Sequence, residues 1–124
     1  MCNSRHEGSK PIQKRGKGWK LVQNLPLGGC HALVEGGAYR TTDGWIVWDS
    51  RSTLEEGFCF FTNKRVAQRA LKVWARTVVC DCKYVKLIPI IYEEGICKHI
   101  EDRFCGGIRW PIALCKRWKP GEGV

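Results

Sequence analysis

Residues 62–76, TNKRVAQRALKVWAR, decide the fold. Thr62 or Asn63 offers a side-chain oxygen to the first free amides of a helix, and neither Gly nor Pro interrupts the run from Lys64 to Arg76. Val66, Ala67, Ala70, Leu71 and Trp74 fall at helical spacing and make one apolar stripe that must be covered. Arg65, Arg69, Lys72 and Arg76 recur at i, i+4, i+7 and i+11 and line the opposite side. The stretch predicts one amphipathic helix, apolar beneath and basic above.

On both sides of the helix the pattern becomes that of strands. Trp19–Val22, His31–Val34, Ala38–Thr41, Trp45–Trp48 and Phe58–Phe61 are short strand-prone runs, punctuated by Gly28-Gly29, Gly36-Gly37 and Asp43-Gly44. Gly36-Gly37 reads as the turn of a hairpin between the second and third runs. After the helix, Val78 to Leu87 alternates, and Leu87 to Tyr92 stays extended around Pro89, which favours an edge or a bulge there. Ile96–Ile100 and Gly107–Trp118 complete a β-rich second half. The expected architecture is a single α+β domain, a mostly antiparallel curved sheet with one basic amphipathic helix packed on one face. At 124 residues there is room for one core. Residues 1–17 set Arg5, Lys10, Lys14, Arg15 and Lys17 against Glu7 alone and hold little apolar surface, so they read as a flexible basic arm. Residues 18–119 make the domain, and 120–124 a tail.

The net charge is +9, with 21 Lys and Arg against 12 Asp and Glu, and the excess sits in the arm, the helix and the last strand. Like charges along one helix face repel at each i, i+4 pair, and Lys64 and Arg65 lie at the positive end of the helix dipole. A chain keeping both costs either offsets them with acids such as Glu55 and Glu56 or presents the stripe to an anionic partner. The second reading makes nucleic acid, or a host nucleoprotein complex, the partner of Arg65, Arg69, Lys72 and Arg76, joined by Arg109, Lys116 and Arg117. Trp118, between Arg117 and Lys119, is expected to be an exposed ring on which bases stack. Trp45 and Trp48 have opposite strand parities, so at least one is expected to face outward.

The longest apolar stretch, Val85–Tyr92, is far short of the ~20 residues of a membrane span, and the N-terminus has no apolar core of a secretory signal. A cytoplasmic protein without membrane contact is expected. In that reducing setting the eight cysteines are buried thiols or metal ligands. Cys80-x-Cys82 with Cys97-x-His99 is the candidate zinc set, two ligands from each of two strands, although structural zinc sites favour wider pair spacing. No other cofactor is indicated. Nucleophile elbow, phosphate-binding loop, His-Glu-x-x-His pair and dinucleotide fingerprint are all missing, so no enzyme is expected.

Gly18-Trp19-Lys20-Leu21-Val22, Gly57-Phe58-Cys59-Phe60-Phe61-Thr62, the helix with Ala67 and Ala70, Val78-Val79-Cys80-Asp81-Cys82 and Pro111–Lys116 together resemble small phage and prophage accessory proteins, some of which, the anti-CRISPR proteins among them, act against host defence. The resemblance implies a non-enzymatic inhibitor that works by occupying a nucleic acid or a nucleic-acid-handling complex. Gly57 through the helix also resembles the middle of ADP-ribosyltransferase domains, which implies a nucleotide pocket lined by residues such as Lys20, Phe58 and Tyr39. This chain has no Glu-x-Glu on a late strand and no serine after Phe61.

Overall fold

The structure, a computed structural model, describes residues 7–24, 30–32, 38–48, 57–77, 85–101 and 109–122. These form strands β1 (Glu7–Pro11), β2 (Arg15–Asn24), β3 (Cys30–Ala32), β4 (Ala38–Arg40), β5 (Ile46–Trp48) and β6 (Phe58–Phe60), helix α1 (Lys64–Thr77), and strands β7 (Val85–Glu101) and β8 (Trp110–Pro120). One antiparallel sheet runs β3-β2-β7-β8-β5-β4, with β1 added to β7 and β6 to β8. The six-strand path is open. A bridge between Trp19 and Phe61 nevertheless brings the end of β6 back against β2. Among the described residues no helix is long and apolar enough to cross a membrane.

Strand β6 is buried on both sides, which explains the unbroken apolar run Phe58–Phe61. Phe58 and Phe60 enter one cluster with Val22, Ile88, Ile90, Ala113, Cys115 and Trp118. Cys59 and Phe61, one residue out of phase, enter the other with Leu21, Ile112, Leu114 and the helix residues Ala67 and Ala70. Helix α1 lies over β2, β7 and β8 and packs Val66, Leu71 and Val73 against that second cluster. Asn63 is its cap: Oδ1 accepts from the amides of Arg65 at 2.9 Å and Val66 at 3.2 Å. Asn63→Ala is expected to cost about 1 kcal/mol, or roughly 4 °C in Tm, measured by thermal unfolding. An unchanged Tm would place the helix start elsewhere.

Three expectations need correction. Residues 7–17 are not a flexible arm: Glu7, Lys10 and Pro11 pair with Ile100, Lys98 and Cys97, and Arg15–Lys17 open β2. The long edge of β7 supplies backbone partners that make up for their lack of apolar side chains. Gly36-Gly37 lies outside the described residues, and the strands flanking it do not form a hairpin together. β3 pairs with β2, while β4 pairs with β5 across the Asp43-Gly44 turn, where Gly44 has φ +91°. Pro89 marks neither an edge nor the bulge. It stands inside β7 opposite Trp19, whose amide and carbonyl both turn to Phe61 (2.9 and 2.7 Å). The Trp19–Pro89 pair is thus a non-hydrogen-bonded one, and the missing N–H of Pro89 costs no bond to β2. The bulge falls at Gly95–Cys97, beside Glu94 at φ +54°.

Trp118 is the largest correction. It is fully buried, 0% exposed, in the first cluster, edge-on to Phe58 with ring centres 6.4 Å apart. The charges that flank it in sequence point the other way, as alternation along a strand requires.

Candidate nucleic-acid interface

Each turn of α1 that buries Ala67 and Ala70 and packs the partly buried Leu71 turns Arg65, Arg69 and Lys72 outward, and all three are exposed, together with Lys64 and Gln68. Among the described residues no carboxylate comes within ion-pair distance of any of them. The first turn carries no acidic residue. Arg76 belongs to the same helix, but its side chain lies outside the described set, as does that of Trp74.

The positive surface continues past the start of the helix. Lys10 and Lys98 stand directly opposite each other on β1 and β7, both exposed. Directly opposed like charges destabilise a strand pair unless an anion lies between them. They share the wall of an open cleft of about 370 Å³ with Thr62, Asn63 and Val66 of the helix start.

A second basic zone occupies the far end of the sheet. On β2, Trp19 packs against the helix-side cluster, and Lys17 and Arg15 follow it with the same parity where the helix no longer covers the sheet. Cross-strand register places Lys17 beside Ile91 and Ile91 beside Lys119; in the next row Arg15 flanks Glu93 and Glu93 flanks Arg117. Glu93 divides its carboxylate between the two arginines, Oε2 to Arg15 at 3.2 Å and Oε1 to Arg117 Nε at 3.3 Å. Arg117 and Lys119 lie over the ring of Trp45, at 4.4 and 4.8 Å from its centre. Trp45 is thus the outward-facing member of the Trp45/Trp48 pair, yet only 8% exposed because these cations cover it. The turn before it holds it there: the Trp45 amide donates to Thr41 Oγ1 at 3.0 Å, and the Thr41 amide donates to the Trp45 carbonyl at 2.8 Å. The Thr41 hydroxyl also donates to the Asp43 carboxylate, and that bond, aided by Arg117 and Lys119, holds the Asp43 carboxyl below its ordinary value.

Of the other sequence candidates, Arg109 is exposed just before β8, and Lys116 lies half-buried 6.0 Å from the ring centre of Trp48. Sequence reading missed Arg15, Lys17 and Lys119 as site residues because it placed the first two in a mobile arm and could not see the register joining all three.

The nucleotide pocket implied by ADP-ribosyltransferase likeness is not formed by its named residues. Lys20 and Phe58 are core residues, 2% and 0% exposed, and Lys20 Nζ donates to the Cys59 carbonyl at 2.6 Å within 5.7 Å of the Phe58 and Trp118 ring centres. The carbonyl and the two π faces help to offset the cost of placing an ammonium in an apolar core. The Tyr39 side chain is outside the described residues. So are Cys80 and Cys82 of the zinc candidate. Cys97 Sγ lies 3.6 Å from His99 Nδ1, and His99 Nε2 lies 3.2 Å from Glu101 Oε2, one line of side chains along β7. Among the described residues no cluster of three or more such groups is arranged to hold a metal. Cys59 and Cys115 are buried.

Tyr92 lies behind the second basic zone, on the opposite face of β7 in the first cluster. It is buried against Phe60, ring centres 4.6 Å apart, and burial, with a smaller contribution from Cys115, raises its pKa above 10. Well below pH 10 the phenol is neutral in folded and unfolded chains alike and adds no pH dependence; as pH approaches and passes 10 the unfolded chain loses the proton first, so stability falls as pH rises. Denaturant titrations at pH 8 and pH 11 should show this decline, and Tyr92→Phe should reduce it. An identical decline in the variant would refute the assignment.

Comparison with known protein families, with curated proteins and with solved structures finds no match.

Proposed function

We propose that the protein is a non-enzymatic binding protein that docks on nucleic acid through Arg65, Arg69 and Lys72 of α1, with Lys10 and Lys98 extending the contact at the start of the helix. The observation that carries this reading is the set of exposed helical cations with no carboxylate beside them among the described residues. Arginine and lysine on one rigid helix face match a row of phosphates, and release of condensed counterions supplies the affinity. The sequence resemblance to phage accessory proteins extends the proposal to a protein that acts by occupying a nucleic acid, or the nucleic-acid-handling machinery of a host, as an anti-CRISPR-like inhibitor does.

Fluorescence anisotropy with a labelled 20-mer oligonucleotide, run from about 20 to 300 mM salt, tests it. Binding at low salt should weaken along a log–log line whose slope is about −0.9 per phosphate contact on duplex DNA and −0.7 on a single strand. Absence of binding at 20 mM salt refutes the nucleic-acid reading and leaves a protein partner as the target of the stripe.

A further inference from the structure

The second basic zone has a shape that a duplex cannot use. Between the rows of β2 and β8 lies an open groove of about 320 Å³ with Ile91 between Lys17 and Lys119, Trp45 at one side, and Arg15 and Glu93 lining it in the next row. Ile91 and the Trp45 ring are apolar, Lys17 and Lys119 supply positive charge, and the Glu93 carboxylate in the next row is shared by Arg15 and Arg117. We infer that this groove binds an unpaired nucleotide, so that the protein prefers single-stranded nucleic acid; the inference rests on the nucleic-acid reading above and names its preferred strand form.

Three observations support it. Lys17, Ile91 and Lys119 sit in one row across three strands, so the two lysines flank the groove at two strand spacings, about 10 Å, with an apolar residue between them. Neither lysine has a carboxylate at ion-pair distance among the described residues, whereas Arg15 and Arg117 in the next row are pinned by Glu93. Trp45 holds Lys119 and Arg117 in place before any ligand arrives, which lowers the ordering cost of binding. A duplex shows its phosphates and base edges but keeps base faces stacked inside; only an unpaired base can lay a face on Ile91 while its phosphates reach Lys17 and Lys119.

The experiment measures anisotropy for a labelled 20-nucleotide single strand and for its duplex at equal salt, with wild type and K17A/K119A. Both lysines are on the rim, and their removal leaves the core intact. Wild type should bind the single strand at least tenfold more tightly than the duplex. K17A/K119A should lose most of that preference, its affinity for the single strand falling several-fold more than its affinity for the duplex. Equal wild-type affinity for both forms, or a preference untouched by K17A/K119A, overturns the groove and leaves the helix reading standing. No binding of either form overturns both.

Discussion

Trp118→Ala is expected to destabilise the protein by about 3–5 kcal/mol, a large part of the 5–15 kcal/mol that holds a domain of this size together. The ring touches the places where the sheet is joined: its residue pairs with Tyr92 on β7 and Ile46 on β5, and the ring itself meets Phe58 of β6 and lies 5.7 Å from the ammonium of Lys20. Truncation opens a cavity under four strands and removes one π face from a buried cation. Trp118→Phe should cost far less, about 1.5 kcal/mol or under, because the indole Nε1 is buried without a hydrogen-bond acceptor among the described residues, so no bond is lost with it. Urea unfolding of the two variants checks this. A Trp118→Ala change under 1 kcal/mol would mean the ring is outside, where its charged neighbours suggested.

The second large effect is on binding. Reversing the helix face in R65E/R69E/K72E should reduce oligonucleotide affinity about a thousandfold or more at 50 mM salt, since each phosphate contact contributes a factor of about 15 at that concentration. The same variant should keep its fold. The three side chains are exposed and have no carboxylate partner to lose among the described residues, and a glutamate at position 65 suits the positive end of the dipole better than Arg65 does. Anisotropy and thermal unfolding, measured together, separate the two effects. A variant that binds as wild type does, with the wild-type Tm, would remove the helix from the interface.

Local patterns carried most of the helix. A capping Asn63, a Gly- and Pro-free run and two opposed stripes are all set within fifteen residues, and the structure keeps the cap, the buried Ala67 and Ala70, the partly buried Leu71, and the outward Arg65, Arg69 and Lys72. The sheet was legible as strands but not as partners. β7 is 17 residues long, yet Pro89 and Glu93-Glu94-Gly95 divide it in sequence, because turn-like residues are tolerated where a non-hydrogen-bonded pair or a bulge absorbs them. β1 carried no apolar signal, since what orders it is backbone pairing to β7. Trp118 misled because flanking charge says nothing about the parity of the residue between. The groove depends on register across β2, β7 and β8, three strands remote in sequence, and buried Lys20 depends on rings supplied by β6 and β8. Neither arrangement leaves a local trace.

A ¹H–¹⁵N footprint of the wild-type protein titrated with a single-stranded 20-mer at low salt addresses the central claim most directly, because it reads which amides the ligand approaches. Shifts or line broadening should concentrate on residues 64–73, with further changes at Arg15–Lys17 and Arg117–Lys119. Saturable binding that leaves the amides of 64–73 undisturbed would show that the basic helix is a solvated face and that the docking surface lies elsewhere.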